Sequence, residues 1–273
     1  MKSVLITGCS SGIGFDAAHG LKREGWRVFA TCRAEVDCQR LRAEGLESFV
    51  LDVNDSDSIA AAVAEALART GGTLDALYNN AAFACPGAVE DLPRDALREI
   101  FETNLFGLHE LTTRVIPVMR AQGHGRIVNC SSVLGLVGIR WRGAYSATKF
   151  ALEGLTDVLR LEMADTAIKV VLIEPGPIAS RFRANSISHF ERWVNWRESP
   201  RRAQYEKTLL KRLYEGGGPD RWQLPPAAVT AKLLHALESA NPKPRYYVTT
   251  PTWFSSLARR LLSTRMLDRV VGR

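Results

Sequence analysis

The stretch Val4-Leu5-Ile6-Thr7-Gly8-Cys9-Ser10-Ser11-Gly12-Ile13-Gly14 joins a short apolar run to a helical pattern. Glycine allows positive φ and a close approach of the main chain to a ligand. The helix after such a turn points free N–H groups and its positive dipole end at the bound group. A glycine turn after the first strand of a strand–helix series is typical of a pyrophosphate site. We therefore predict phosphate binding by Gly8, Ser10, Ser11, Gly12, Ile13 and Gly14.

The same residues also match G-x-S-x-G, the nucleophile elbow of α/β-hydrolases. An elbow needs sheet on both sides and earlier loops for its oxyanion hole, whereas this turn follows the first strand. No downstream histidine stands at an obvious strand end with an acid before it. We therefore favour phosphate binding over hydrolysis.

Strand-like and helical patterns alternate as far as Pro175. The strands are predicted at Val4–Thr7, Val28–Cys32, Ser48–Leu51, Leu74–Tyr78, Arg126–Cys130 and Lys169–Ile173. The helices are predicted at Gly14–Glu24, Val36–Ala43, Ser56–Ala68, Pro93–Arg120 and Tyr145–Ala164. Continuous apolar runs suit strands buried on both faces. This order predicts an α/β fold, a doubly wound parallel Rossmann sheet with right-handed crossovers.

The alternation of strands and helices stops after Pro177. Residues 178–223 are instead rich in arginine and aromatic residues. We interpret this segment as a helical substrate lid within a single domain over residues 1–250. A helix from Pro225 to about Ser239 and a strand at Arg245–Thr249 complete that domain. Residues 251–273 form a C-terminal amphipathic extension.

Composition excludes several classes of protein. The chain has 273 residues and five cysteines without a C-x-x-C pair, which argues against a disulfide framework and a zinc site. We expect no metal. No stretch resembles a signal peptide or approaches the roughly 18 apolar residues of a membrane span, so the cytoplasm is the expected location.

Much of the net charge of +7 lies in the second half of the chain, and we interpret it as a solvated basic face. No nucleic-acid-binding module surrounds these residues, so we expect no nucleic acid partner. Arg265 and Arg269 interrupt the apolar arc of the last stretch, Trp253–Val271. Peripheral membrane contact is therefore a minor alternative.

The end of the second strand indicates the cofactor. An acid there would bind the adenosine ribose and mark NAD. Here the strand ends Ala30-Thr31-Cys32-Arg33, and the nearest acid, Glu35, lies in the loop. The Arg33 guanidinium can pair with a 2′-phosphate, and the Ser10 and Ser11 hydroxyls can assist. We predict NADP(H) over NAD.

Tyr145-Ser146-Ala147-Thr148-Lys149 places a tyrosine and a lysine on one helix face, after the fifth predicted strand. Carbonyl reduction needs a proton donor beside the hydride acceptor, and a free tyrosine has a pKa near 10. A nearby ammonium stabilises the phenolate and should lower that pKa. Ser132 can hydrogen-bond the substrate oxygen and hold it against Tyr145.

These motifs together resemble the short-chain dehydrogenase/reductase family over nearly the whole chain. The resemblance rests on Thr7-Gly8-x-x-x-Gly12-Ile13-Gly14, Asp52-Val53, Asn79-Asn80-Ala81, Asn104, Ser132, Tyr145-x-x-x-Lys149 and Pro175-Gly176. It implies a catalytic tetrad of Asn104, Ser132, Tyr145 and Lys149, in which Asn104 holds a relay water and Lys149 also binds the nicotinamide ribose. It implies further cofactor contacts at Asp52, Val53, Asn79, Ala81, Tyr145, Lys149, Pro175, Gly176 and Ile178. The family's N-N-A-G ends here in Ala82, whose methyl needs a compatible φ.

Within the family the chain is similar to 17β-hydroxysteroid and retinol dehydrogenase-like members and to bacterial NADP-dependent aldehyde reductases. Thr31-Cys32-Arg33, Ile173–Ile178 and Pro242–Tyr246 carry this similarity. It implies a small apolar carbonyl or alcohol substrate of aldehyde, ketosteroid or retinal type. The other interpretation is a binding module that senses NADP without turnover.

Two expectations concern packing. The aromatic residues of the lid either line an apolar pocket or merely pack the lid onto the domain. The helix after Tyr145 carries more apolar residues than one sheet face can bury, which indicates a homodimer or homotetramer. Its apolar residues are Phe150, Leu152, Leu155, Val158, Leu159 and Leu161.

Overall fold

Seven strands form one parallel sheet in the computed structural model, which describes residues 1–216 and 221–272. They are β1 (Ser3–Ile6), β2 (Arg27–Cys32), β3 (Glu47–Val50), β4 (Ala76–Asn79), β5 (Gly125–Cys130), β6 (Ile168–Glu174) and β7 (Arg245–Tyr247). Their order is β3-β2-β1-β4-β5-β6-β7, and Val4 of β1 aligns with Val28 of β2 on one side and Ala76 of β4 on the other. The strand order reverses between β1 and β4, which is where doubly wound sheets bind ligands. The predicted fold class is confirmed.

Helices cover both faces of the sheet. They are α1 (Gly12–Arg23), α2 (Glu35–Ala43), α3 (Ser56–Thr70), α4 (Arg94–Phe101), α5 (Gly107–Gln122), α6 (Gly143–Glu162), α7 (Phe182–Trp193), α8 (Arg202–Gln204), α9 (Ala227–Glu238), α10 (Thr250–Leu261) and α11 (Thr264–Val271). The predicted helix Pro93–Arg120 is in fact α4 and α5 joined by a π-helical turn at Glu102–Phe106. The predicted C-terminal stretch divides at Leu262 into α10 and α11.

Alternate residues of each strand face opposite layers of the core. In β1, Val4 and Ile6 pack with α1, α2 and α9, whereas Leu5 packs with α3 and α5. All three side chains are fully buried. Burying one such side chain contributes about 1.5–3 kcal/mol, so both helical layers are held by the sheet. The sheet in turn fixes the positions of the loops at its carboxyl edge.

The lid segment is helical, as predicted, and four of its residues (217–220) lie outside the described residues. It contains α7, α8 and two π-helical turns, Tyr205–Leu209 and Lys211–Gly216. The Tyr205 hydroxyl accepts a hydrogen bond from the Ala88 amide and donates one to Asp91 Oδ2, both at 2.7 Å. Buried lid residues Phe190, Tyr205, Leu209 and Leu213 pack on Cys85, Ala88 and Ala96. Most lid aromatics therefore attach the lid to the domain, and Phe182 is the one that lines the cleft described below.

All five cysteines are buried and free. Within residues 1–216 and 221–272, no cluster of His, Cys, Asp and Glu could hold a metal ion. Over the same residues, no helix is both long enough and apolar enough to cross a membrane.

Candidate active site

One continuous cleft of about 1120 Å³ lies at the carboxyl edge of the sheet, beneath the lid. Fifteen of the residues predicted for the site line it: Gly8, Ser10, Ser11, Gly12, Ile13, Arg33, Asp52, Val53, Ala81, Ser132, Tyr145, Lys149, Pro175, Gly176 and Ile178. Gly14, Asn79 and Asn104 do not line it. The structure thus brings the glycine turn and the Tyr145 region into one cavity.

The glycine turn has the backbone that a phosphate site needs. Gly8 and Gly12 have φ of +73° and +62°, a region that side chains with a Cβ rarely adopt. A Cβ on Gly14 would collide with the carbonyl oxygen of Gly8, so Gly14 is required for packing beneath the turn. Ser11 precedes α1 and its side chain makes no capping hydrogen bond. The N-terminal N–H groups of α1 therefore face the cleft without a side-chain cap, which suits an anion.

The loop after β4 braces this turn. The Thr7 hydroxyl accepts hydrogen bonds from the amides of Asn80 and Ala81 at 3.0 and 2.9 Å. Asn80 Nδ2 donates to the carbonyl oxygens of Thr7 and Gly8. Ala82 adopts no positive φ, since Trp141 is the only non-glycine residue of the described chain that does. The alanine in place of the family's glycine therefore strains nothing.

Asn79 does not line the cleft and instead joins elements of the fold below it. It is 2% exposed, and its Nδ2 donates to Thr112 Oγ1 at 2.9 Å and to Asn129 Oδ1 at 2.8 Å. These bonds join β4, β5 and α5 below the cleft. The residue of this loop that lines the cleft beside Ala81 is Asn80, which sequence reasoning quoted only as part of the motif.

Arg33 is exposed and lines the same cleft as Asp52, and it has no ion-pair partner among the described residues. Glu35, the nearest acid that could bind the adenosine ribose of NAD instead, forms an ion pair with Arg42 and does not line the cleft. Arg40 of α2 donates a 2.6 Å hydrogen bond to the Ser10 carbonyl oxygen, so a second guanidinium lies beside the turn. Asp52 lines the cleft and accepts a hydrogen bond from the Asn54 amide.

Tyr145, Ser132 and Lys149 converge at the other end. Ser132 begins the turn after β5, and its Oγ accepts a hydrogen bond from the Leu134 amide at 3.1 Å. Lys149 is 2% exposed, its Nζ donates to the Cys130 carbonyl oxygen at 2.7 Å, and it lies 5.5 Å from the centre of the Tyr145 ring. Tyr145 is itself buried. The turn after β5 and one turn of α6 thus place a hydroxyl, a phenol and an ammonium in one cavity.

Burial governs the ionisation of this group. It raises the pKa of Tyr145 well above its usual value, and the Cys130 thiol nearby acts in the same direction. The Ser132 hydroxyl and the positive charge of Arg142 lower the Tyr145 pKa, but by less. Burial also lowers the pKa of Lys149. The expected lowering by Lys149 is therefore not found in this state, and Tyr145 holds its proton at neutral pH.

Asn104 lies in the π-helical turn between α4 and α5, fully buried. Its Nδ2 donates to the Phe83 carbonyl oxygen at 2.9 Å and to Thr148 Oγ1 at 3.1 Å, and its Oδ1 accepts from the Phe83 amide. The side chain thus ties this turn to the loop after β4 and to α6, next to Lys149. π-Helical turns inside longer helices frequently occur at functional sites.

Comparison with known proteins agrees with this geometry. A family model described as short chain dehydrogenase matches residues 2–190. The chain belongs to the short-chain dehydrogenase family. It is 41% identical to the uncharacterized oxidoreductase YbbO of Escherichia coli strain K12, over 99% of this chain and 94% of that one. It is 32% identical to human 17-beta-hydroxysteroid dehydrogenase type 6, over 100% and 88%.

A solved short-chain dehydrogenase from Streptomyces avermitilis superposes with a TM-score of 0.80. It is 32% identical, and the match covers 98% of this chain and 95% of that one. The expected membership of the family is confirmed. This short-chain dehydrogenase is therefore an oxidoreductase by family, with the fold of a nicotinamide-binding protein.

Three arginines of this short-chain dehydrogenase were not predicted for the site but line the cleft near Tyr145: Arg142, Arg183 and Arg212. Arg142 begins α6, Arg183 lies in α7 and Arg212 in the last lid turn. Arg181 and Arg212 are exposed, as the solvated basic face predicts, although both border the cleft, whereas Arg183 is half-buried in its lining. Arg201 and Arg202 fit the prediction, since they are exposed and pair with Glu90 and Glu206.

Proposed function

We propose that this short-chain dehydrogenase uses NADP(H) to move a hydride between the nicotinamide ring and a carbonyl or alcohol carbon, with Tyr145 as the general acid/base. The observation that carries the proposal is the shared cavity. Tyr145, Ser132 and Lys149 lie in the same cleft as the glycine turn. Ligands of doubly wound sheets bind at this edge, so cofactor and catalytic groups would meet there.

The residues present fit a dinucleotide with a 2′-phosphate. The turn at Gly8 and Gly12 supplies main-chain N–H groups and the positive end of α1 for the pyrophosphate. Arg33, free of any carboxylate among the described residues, supplies a guanidinium fork for the 2′-phosphate. Glu35 is paired with Arg42, which leaves no acid at this place for a ribose 2′-hydroxyl. These contacts support NADP(H).

Bound nicotinamide supplies or accepts the hydride. In reduction, the Ser132 hydroxyl hydrogen-bonds the substrate oxygen, and the Tyr145 phenol donates the proton that this oxygen needs. Burial keeps Tyr145 protonated at neutral pH, which suits a proton donor. Lys149, which donates to the Cys130 carbonyl oxygen, would also bind the nicotinamide ribose, and Asn104 would hold the water that links Lys149 to a proton relay. In oxidation, Tyr145 must lose its proton, and the positive charge of Arg142 favours that loss.

The cleft beside Tyr145 accepts a partly apolar substrate. Phe182 packs edge-on against Tyr145 with ring centres 5.3 Å apart, and Leu134 and Ile139 line the same end. Apolar walls with a few polar groups are usual for small-molecule sites. They support an aldehyde, ketosteroid or retinal-type carbonyl, in keeping with the hydroxysteroid dehydrogenase among the relatives. Five free buried thiols support a reducing compartment such as the cytoplasm.

The test is the oxidation of NADPH with a panel of aliphatic aldehydes, ketosteroids and retinal. Tyr145→Phe should lower kcat/KM by roughly 10²–10⁴-fold while NADPH still binds, because only the proton donor is lost. The matched control is Tyr214→Phe, which removes an exposed lid hydroxyl that bonds Glu191. Binding of NADPH without turnover of any carbonyl would favour the NADP-sensing module. Unchanged activity of Tyr145→Phe would refute the acid/base assignment.

A further inference from the structure

The cleft carries far more positive than negative charge. Among residues 1–216 and 221–272, its lining contains six cationic side chains, Arg33, Arg142, Lys149, Arg181, Arg183 and Arg212, and a single carboxylate, Asp52. Asp52 lies at the adenosine end, beside Val53 and Asn54. Within the described part of the chain, the substrate end of the cleft therefore has no lining carboxylate to offset its arginines.

The cofactor accounts for three of these cations. Arg33 lies where a 2′-phosphate would bind, and Lys149 lies beside Tyr145 at the nicotinamide ribose. Arg181 follows Ser180, whose Cβ lies 3.2 Å from where a Cβ on Gly12 would stand, so it borders the pyrophosphate turn. Arg142, Arg183 and Arg212 remain, on the Tyr145 side of the cleft.

These three arginines line the same cleft, and the charges of Arg183 and Arg212 both act on Arg142. Burial, and after it the positive charges of Arg212 and Arg183, lower the pKa of Arg142 to about 10. Within the described part of the chain, none of the three has a carboxylate partner. Outside the cleft, Arg192, Arg201 and Arg202 of the lid each pair with a glutamate, whereas Arg197 and Arg221 stack on tryptophan rings. A like-charge group without acids destabilises the fold unless an anion offsets it.

The position of Arg142 is set by strained backbone. The preceding residue, Trp141, has φ of +67°, which is costly for a bulky side chain, by about 1–3 kcal/mol. It is held there because its carbonyl oxygen accepts from the Gly87 amide at 3.0 Å and its ring packs on Tyr205, with centres 4.7 Å apart. Arg142 is thus placed half-buried three residues before Tyr145, at the start of α6.

From this placement we propose that the substrate carries an anionic group, a carboxylate or a phosphate ester, which Arg142, Arg183 and Arg212 bind while its carbonyl lies at Tyr145. The inference rests on the proposed function and narrows its substrate class from apolar carbonyls to oxo acids and their phosphorylated counterparts. Guanidinium groups bind both anions through paired N–H bonds. Phe182, Leu134 and Ile139 then contact the apolar segment between the two polar ends.

A matched set of aldehydes tests the charge. We expect 4-carboxybenzaldehyde or 4-formylphenyl phosphate to have a kcat/KM roughly 10–100-fold above that of methyl 4-formylbenzoate, because a charge-assisted contact is lost in the ester. Whichever acid is better identifies the anion. Arg142→Gln and Arg183→Gln should bring kcat/KM for the two acids down to that for the ester, so the measured quantity is the ratio of acid to ester within each variant. Arg197→Gln is the control, because Arg197 stacks on Trp196 outside the cleft.

Binding is measured separately from turnover. The NADP-loaded protein is titrated with 4-(hydroxymethyl)benzoate and with its methyl ester, and the acid should bind more tightly in the parent protein but not in Arg142→Gln. Equal binding of acid and ester overturns the inference even if neutral aldehydes are reduced. Weaker NADPH binding by Arg142→Gln also overturns it, since the arginines would then serve the cofactor. If no aldehyde is reduced but the acid binds selectively, the inference stands and the proposed function fails.

Discussion

The Nζ of Lys149 donates a 2.7 Å hydrogen bond to the carbonyl oxygen of Cys130, the last residue of β5. An ammonium buried this deeply is unusual, and burial lowers its pKa. The Cys130 carbonyl and the charge of Glu153 support its positive form. The bond holds the ammonium 5.5 Å from the centre of the Tyr145 ring.

Lys149→Met should keep much of the packing and lose the charge. We expect kcat/KM to fall by roughly 10–100-fold and NADPH to bind more weakly, because a charge-assisted hydrogen bond to the ribose is lost. Steady-state kinetics and a titration of NADPH measure the two effects. Lys169→Met, on the exposed position of β6, is the control. Loss of activity with unchanged NADPH affinity would contradict the ribose contact.

Arg33→Ala should change the cofactor preference. The variant should lose roughly 10–100-fold in kcat/KM with NADPH and little with NADH, because only NADPH has the 2′-phosphate. Glu35→Gln should leave the use of both cofactors unchanged, since Glu35 pairs with Arg42. Arg23→Ala, at the exposed end of α1, is the charge-matched control. Equal losses with NADPH and NADH would refute the role of Arg33.

The exposed apolar face of α6 predicts self-association. Leu152 is fully buried, but Leu155, Val158 and Leu161 are 37%, 52% and 71% exposed. Val158→Glu should convert a homodimer or homotetramer to smaller species, because a carboxylate in an apolar interface is left without a partner. Light scattering after gel filtration measures the mass. A parent protein that is already monomeric would contradict the prediction, and Lys169→Glu is the control.

The sequence predicts the strands, the glycine turn and the Tyr145–Lys149 pair well. It does not predict the arginines that line the cleft beside Tyr145. Runs such as Val28–Cys32 stand out because central parallel strands are apolar on both faces. The Tyr145–Lys149 spacing and the glycine turn are local, so they can be recognised without a three-dimensional structure. Arg142 and Arg183 could not be assigned, because their inward direction depends on how a lid with no regular period packs on the domain. The aromatic residues of the lid indicate that the segment packs on the domain, but they do not show which of its side chains face the cleft.

The π-helical turn at Glu102–Phe106 was also missed. Its one extra residue per turn leaves no mark in an apolar pattern that continues from α4 to α5. Likewise, Asn79 and Asn80 are adjacent and chemically identical, and only the strand register decides that Asn79 points below the sheet edge while Asn80 faces the cleft. Because successive strand residues point to opposite sides, a register shift of one residue would exchange the positions of these two asparagines.

A buried cluster at the β6–β7 edge gives the enzyme a pH-dependent stability. Arg245 pairs with Glu153, Glu174 and Asp157. Glu174 is fully buried, and burial together with the charge of Glu153 raises its pKa from the ordinary 4.5 to about 8. In the unfolded chain this carboxyl ionises near 4.5, so the fold favours its protonated form. The contribution is complete below about pH 4.5 and is lost as the pH rises towards 8.

Glu174→Gln keeps an acceptor oxygen for Arg245 and removes the charge that the fold disfavours. We therefore expect the variant to match the parent protein at about pH 5 and to exceed its free energy of unfolding by roughly 1–3 kcal/mol at about pH 8. Denaturant unfolding at the two pH values measures this difference. Glu162→Gln, at the exposed end of α6, should show no such pH dependence. A difference between parent and variant that stays constant from pH 5 to pH 8 would show that Glu174 is ionised in the fold, with Arg245 outweighing both burial and Glu153.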